Sequence, residues 1–348
     1  MIRHTLTSLN SIAAIGADTI IDVRAPSEFA EDHVPEAVNL PVLSDAERSR
    51  VGTIYTRQSA FLARKTGAAL VAANAARHLQ GPLAQMGGDW QPLIYCWRGG
   101  QRSGAFATIL DQVGWRVHLI EDGYRSYRRQ VNKMLYDTPL PHRIMLVDGG
   151  TGTAKTALLH HLRGEGAQIL DLEGLAGHRG SLFGALDVAQ PSQKMFETRL
   201  AAALRSLDPT RLTWVEGESS KVGARVIPPV VWAAMHRAPR IEVSAPVGAR
   251  AAFLSTAYAD LTQDTDALIA LIDQLRGYHP AEVIADWQAL ARADNWQALA
   301  AQLMIHHYDP RYTKSQARAA EKPQQVVLGD LTADTLAQTA RDLIARFN

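Results

Sequence analysis

The chain of 348 residues has one cysteine, Cys96. A single cysteine excludes an intrachain disulfide and any zinc site made from several thiolates, and it leaves a thiol redox cycle without a resolving partner. Long apolar runs are also missing. No stretch reaches membrane-spanning length, and the opening MIRHTLTSLN lacks an apolar signal core. The expectation is a soluble cytoplasmic protein with no membrane partner. Neither sign of charge is in excess: 36 Lys+Arg against 35 Asp+Glu leave a formal net charge of +1. Composition therefore does not announce nucleic acid. YRSYRRQVNK (124–133) does gather Arg125, Arg128, Arg129 and Lys133 beside two tyrosines. By itself that stretch reads as a solvated helix face.

What remains is an ordinary globular composition, 47% hydrophobic, in a length that suits about two domains. TIIDV (19–23), PLIYC (92–96) and RVHLI (116–120) read as strands, and RSGAFATILDQVG (102–114) as a helix with a stopping glycine. YDTPLPH (136–142) breaks the pattern with two prolines. The strand series then restarts with RIMLV (143–147), QILDL (168–172), LTWVE (212–216) and IEVSA (241–245), with helical patterns such as 192–207 between them. From about residue 247 the chain is mostly helical and Ala-rich. Strands separated by helices predict an α/β chain with parallel sheets. Its expected domains are residues 1–137, and 138–348 with a helical C-terminal part.

YCWRGGQRSG (95–104) ends one strand and enters a helix near Arg102 or Ser103. A loop such as Trp97, Arg98, Gly99, Gly100, Gln101 can curl its N–H groups towards one centre, because the two glycines tolerate positive φ. The helix dipole adds to this anion cradle, and the forked guanidinium of Arg102 can close it. The same field favours the thiolate of Cys96, the nucleophilic form. The competing reading is an inert strand cysteine beside a turn. Cys-x5-Arg-Ser between strand and helix is more specific than that.

At this point the first half resembles a rhodanese domain. IDVRAPSEFAEDHVPEAVNLP (21–41) is similar to that family's opening strand and its Asp-Val-Arg, Glu-Phe, His-x-Pro and Ala-x-Asn-x-Pro series. The resemblance implies sulfur chemistry at Cys96. The longer Cys-x5-Arg spacing is also similar to the cell-cycle dual-specificity phosphatases, which hold phosphate. One alternative is therefore a rhodanese-type sulfurtransferase or a Cys-x5-Arg phosphatase with a regulatory nucleotide-binding half.

LVDGGTGTAKTALL (146–159) is a strand, a glycine-rich turn and a helix. Gly149, Gly150, Thr151, Gly152, Thr153, Ala154, Lys155 and Thr156 follow a P-loop pattern with alanine where glycine is usual. Backbone N–H groups of such a loop wrap phosphates, the lysine contacts the terminal ones, and the threonine can ligate magnesium. Glu216 is the candidate acidic partner, with Glu218 close behind. The pattern predicts a diphosphate site without naming what the diphosphate carries. His306 and His307 are adjacent and no metal ligand set is assigned.

The rhodanese-like half joined to a P-loop half resembles the tRNA 2-selenouridine synthases. The stretches that carry this are VGTIYTRQSAFLARKTGAALV (51–71), YCWRGGQRSG, DLEGLAGHRGSLFG (171–184), QPSQKMFE (190–197) and EGESSKVGARVIP (216–228). The resemblance implies conversion of a 5-substituted 2-thiouridine at the tRNA wobble position to 2-selenouridine. It implies S-geranylation from geranyl diphosphate and then exchange for selenium from selenophosphate, with no covalently bound cofactor. It further implies phosphate or base contacts for His178 and Arg179. Lys221 and Arg225 read equally as tRNA or diphosphate contacts and as a solvated loop, and the 52–67 insertion ending at Gly67 as a wall of the geranyl pocket, a tRNA contact or a surface excursion. Trp97 would stack on a base or pack against its own loop. Ala154, and Gly217 where an acidic residue is commoner, leave magnesium and nucleotide use open. Oligomeric state is open as well.

Overall fold

Strand β4 (Pro92–Tyr95) is buried along its whole length, and so is β8 (Leu212–Glu216). A continuous run of buried side chains is what a central parallel strand needs, because helices cover both of its faces. The computed structural model describes residues 1–316 and 323–347. The chain divides into two compact units, Met1–Pro139 with Pro191–Ala202, and Leu140–Gln190 with Ala203–Asn348.

Among the described residues, the N-terminal unit holds a five-stranded sheet. Its strands are β1 (Ile2–His4), β2 (Thr19–Asp22), β3 (Val38–Asn39), β4 and β5 (His118–Ile120), in the order β1-β5-β4-β2-β3. Every pairing is parallel. From β2 the chain moves out to β3, then returns to β4 on the opposite side. The strand order reverses there, which is where open α/β sheets place their sites. Ile21, Ile94, Phe106, Leu110 and Leu119 fill the core beneath. The helix Gln101–Val113 follows β4 and stops at Gly114, whose φ of +112° suits glycine.

The expected insertion is a pair of helices, Asp45–Arg57 and Ala60–Gln80. A capping box of Ser44 and Glu47 starts the first, and the Ser59 hydroxyl accepts two N–H bonds to start the second.

In the C-terminal unit the described strands are β6 (Arg143–Asp148), β7 (Gln168–Leu170), β8, the short hairpin β9 (Lys221–Val222) and β10 (Arg225–Val226), β11 (Arg240–Ser244) and β12 (Gln324–Val327). The sheet order is β12-β11-β6-β8-β7, again parallel throughout. Trp214 sits fully buried in its core with Leu158, Leu162 and Ile241. A second apolar cluster, centred on Trp287, Ile272 and Ile284, holds the helical tail together. Strand β12 interrupts the expected helical tail, and residues 317–322 of that tail lie outside the described residues. Parallel pairing with β11 gives β12 its conformation. Its own four residues, QQVV, are too few to show a period.

Candidate functional site

The rhodanese-like motif turns out to be architecture. The Arg24 guanidinium donates to Asp22 Oδ2 at 2.9 and 2.6 Å, to Asp22 Oδ1 at 3.1 Å, and to the Asp32 carbonyl. Both members of this pair are buried, at 1% and 0% exposure. Asn39 donates to the carbonyls of Asp22 and Arg24 and ties β3 to the turn. These polar groups are satisfied inside the fold, so none is free to work on a substrate.

The thiol loop follows β4. Cys96 is only 3% exposed and packs within the apolar core, and its sulfur accepts the Ser103 hydroxyl at 3.1 Å. Arg98, Gly100 and Gln101 are exposed. The helix starts at Gln101, so the loop proper is Trp97 to Gly100. Gly99 has φ +63°, and a Cβ there would lie 2.9 Å from the Asp122 nitrogen and the Ile120 oxygen. Only glycine fits so close to that backbone. Gly123, at φ +54°, is packed against the Cys96 carbonyl in the same way, and the Tyr124 and Arg125 N–H groups bond to the carbonyls of Cys96 and Trp97. The start of the helix Gly123–Asn132 therefore props the loop, a role that the basic stretch 124–133 did not announce in the sequence.

One expectation changes here, and one of the two readings of Trp97 gains support. The Arg102 fork does not close over the loop; it pairs with Glu28 at 2.7 and 3.4 Å. Burial pushes the Glu28 carboxyl up, but the bond and charge of Arg102, the Ala25 N–H and the Arg48 charge outweigh it and hold that carboxyl below its usual range. Trp97 is stacked on Tyr124, with centroids 5.2 Å apart, so that ring face is occupied from within. Gly67 lies inside the helix Ala60–Gln80, facing Val51 of the helix before it. In 124–133, Arg128 pairs with Glu197 and Arg129 with Asp122, while Arg125 is exposed.

The phosphate loop follows β6, again at a reversal of strand order. Gly149 has φ +151°, and a Cβ would lie 2.5 Å from the Val243 oxygen. Ala154 takes the left-handed conformation, φ +59°, that the usual glycine would take. Lys155 folds back on its own loop, donating to the Gly149 carbonyl at 3.1 Å, with Glu216 3.8 Å away. Arg250, which the sequence did not single out, braces the loop from behind: it donates to the Thr151 carbonyl at 2.9 and 2.6 Å and pairs with Asp309.

A cleft of about 1150 Å³ opens on this loop and is also lined by Glu173, Arg179, Glu216 and Glu218. The Thr156 hydroxyl contacts Glu216 at 2.7 Å and Glu173 at 3.0 Å. Glu173 lies in the quoted stretch DLEGLAGHRG but was not singled out; its acidic partners 43 and 45 residues on give no local signal (216 − 173 and 218 − 173). Oxygens of Glu173, Glu216 and Glu218 all lie within 4.8 Å of one another. Burial first, and then the charges of Glu216 and Glu218, push Glu173 up to about 9. Burial and the Glu216 charge push Glu218 up to about 7, against the pull of Lys155. Burial raises Glu216 too. Three crowded carboxylates beside one hydroxyl form an all-oxygen donor set, and a magnesium ion fits it.

Arg179 is fork-paired with Asp260, 2.9 Å on one arm, and lies 4.5 Å over the Tyr258 ring. His178, Lys221 and Arg225 do not line the cleft. The His178 ring accepts the Gly180 N–H, and Lys221 and Arg225 sit on the β9–β10 hairpin.

The folds and loops define a rhodanese-like domain joined in one chain to a P-loop domain. Comparison with known proteins agrees with both halves. Residues 5–130 match the rhodanese-like domain family, and residues 142–280 match the tRNA 2-selenouridine synthase AAA domain. A tRNA 2-selenouridine synthase of Chromohalobacter salexigens is 33% identical over 319 residues, covering 84% of this chain and 86% of that one. Those of Psychromonas ingrahamii and Nitrosomonas europaea are 35% and 36% identical over 70% and 67% of this chain. In these two alignments the chain spans 65% and 62% of the relative's length. The chain belongs to the tRNA 2-selenouridine synthase family.

Proposed function

We propose that the protein is a transferase that converts a 5-substituted 2-thiouridine at the tRNA wobble position to 2-selenouridine. In the first step the base sulfur bonds to the first carbon of geranyl diphosphate, and the carbon–oxygen bond to diphosphate breaks. In the second, the selenium of selenophosphate bonds to the base carbon as the carbon–sulfur bond breaks and geranyl thiol leaves, and water then cleaves the selenium–phosphorus bond and releases phosphate. The observation that carries this reading is the cleft on Gly149–Thr156, where a lysine and a hydroxyl meet a crowded carboxylate cluster. A departing diphosphate needs its charge neutralised. Lys155 and the loop N–H groups would supply that, and Thr156, Glu173, Glu216 and Glu218 would hold a magnesium ion. Magnesium, when bound, would share the negative charge of the leaving group.

Cys96 is the group we assign to selenium handling. Its burial requires the exposed arch of Arg98, Gly100 and Gln101 to move before the sulfur meets a donor. Nucleoside mass spectrometry of tRNA tests the division of labour, with geranyl diphosphate added first and selenophosphate second. Lys155→Ala is expected to stop before geranylation. Cys96→Ser is expected to accumulate the geranylated base and form little selenouridine. Full selenation by Cys96→Ser would remove the thiol from the reaction, and normal geranylation by Lys155→Ala would remove the diphosphate from this loop.

A further inference from the structure

Beside the phosphate loop lies a second cavity, which phosphate binding does not use. Phe183, Leu254, Leu268, Leu299, Leu303 and Met304 wall it, around a cavity of about 90 Å³ partly open to solvent. It is built largely from the helical tail, for which the sequence suggested no role. The two cavities adjoin: Thr151, Ser181, Leu254, Tyr258 and Tyr308 line both. The phosphate loop itself forms the joint. Gly152 has φ +80°, and a Cβ on it would lie 2.8 Å from Leu254 Cδ1 and 3.2 Å from Met304 Sδ. One loop residue thus touches two walls of the apolar cavity.

The chemistry of the walls decides among diphosphate ligands. Among the described residues the lining contains hydroxyls but no acidic, amide or basic side chain. A ribose diol or a nucleobase edge buried there would lose its hydrogen bonds to water without carboxylate or amide partners in return. A hydrocarbon chain has no such groups to satisfy, and each buried methylene gains affinity. We infer that this cavity is the subsite for the hydrocarbon chain of a prenyl diphosphate whose diphosphate lies on Gly149–Thr156. The inference rests on the proposed function above. It places the chain among tail helices and not against the 52–67 insertion.

Titration calorimetry on the full chain with magnesium present tests this, using geranyl diphosphate and inorganic pyrophosphate as paired ligands. The wild type is expected to bind geranyl diphosphate at least about tenfold more tightly, the gain from burying roughly two methylene groups. Ala300→Phe, which fills the cavity, is expected to erase that gain and leave pyrophosphate binding unchanged. Trp296→Ala, which enlarges it, is expected to shift preference several-fold from geranyl towards farnesyl diphosphate. Equal affinity for geranyl diphosphate and pyrophosphate in the wild type would overturn the chain subsite and spare the diphosphate site. A gain that survives Ala300→Phe would overturn it too. If Ala300→Phe also loses pyrophosphate, Trp296→Ala decides, and an unchanged chain-length preference counts against the subsite. Failure of the wild type to bind either ligand would overturn the diphosphate reading and this inference together.

Discussion

The thiol loop and the phosphate loop share one plan. Each follows a buried parallel strand at a reversal of strand order, turns on a positive-φ glycine and enters a helix. They differ in how charge is balanced. At the thiol loop Arg102 is answered by one carboxylate, Glu28, and the ring of Trp97 by Tyr124, while Arg98 is exposed. At the phosphate loop three carboxylates face one lysine, and none of the three is comfortable ionised. The first loop is balanced as it stands. The second crowds carboxyls that resist ionising, which a cation would let them do, next to an open cleft.

The largest expected effect would break the balanced loop. Gly123→Ala drives a Cβ into the Cys96 carbonyl at a left-handed position. It should destabilise the N-terminal unit by about 3 kcal/mol, measured by denaturant unfolding, while amide exchange protects β6 and β8 as before. A loss below about 1 kcal/mol would show that the turn at 122–125 can give way.

Next in size is the pH response of the crowded carboxylates. Glu173 and Glu218 have raised folded values, so the folded C-terminal unit holds more protons than its unfolded chain. The associated stability is complete below about pH 4.5 and drains away as pH rises through about 7 and then about 9. Glu173→Gln should therefore be more stable than wild type at pH 9, by roughly 1–2 kcal/mol. Added magnesium should narrow the difference. Equal stability of the two proteins across pH 5–9 would mean that the carboxylates do not strain the site.

Glu28 has the opposite sign. Its folded value is lowered, so its stabilisation is present above its ordinary value of 4.5 and is lost as pH falls through the folded one. Glu28→Gln should cost about 1 kcal/mol at pH 7 and flatten the acid limb of N-terminal unfolding. An unchanged acid limb would show that Arg102 and Arg48 find other partners. The smallest effect sharpens the phosphate loop. Ala154→Gly should stabilise the C-terminal unit by roughly 0.5–1 kcal/mol, because alanine at φ +59° is strained. A destabilisation would mean that its buried methyl contributes more than the strain takes away.

The sequence by itself determined the two nucleating segments of chemistry, PLIYCWRGGQRSG and LVDGGTGTAKTALL, because strand, turn and helix signals there are local. It also determined most central strands, whose unbroken apolar runs require cover on both faces. It could not show that IDVR buries its own charges: Asp22 and Arg24 are neighbours in sequence, but the Asp32 carbonyl that also receives Arg24 and the core that covers the pair come from the fold. Nor could it show that Pro191–Ala202 groups with the N-terminal unit, because a helix's period reveals that it has a buried face and not which core receives it. Tertiary structure alone brought Glu173 to Glu216 and Glu218, put Arg250 behind the loop, and opened an apolar cavity beside Gly152. These depend on side chains distant in sequence sharing one dielectric and one space. Spacing along the chain carries no trace of either.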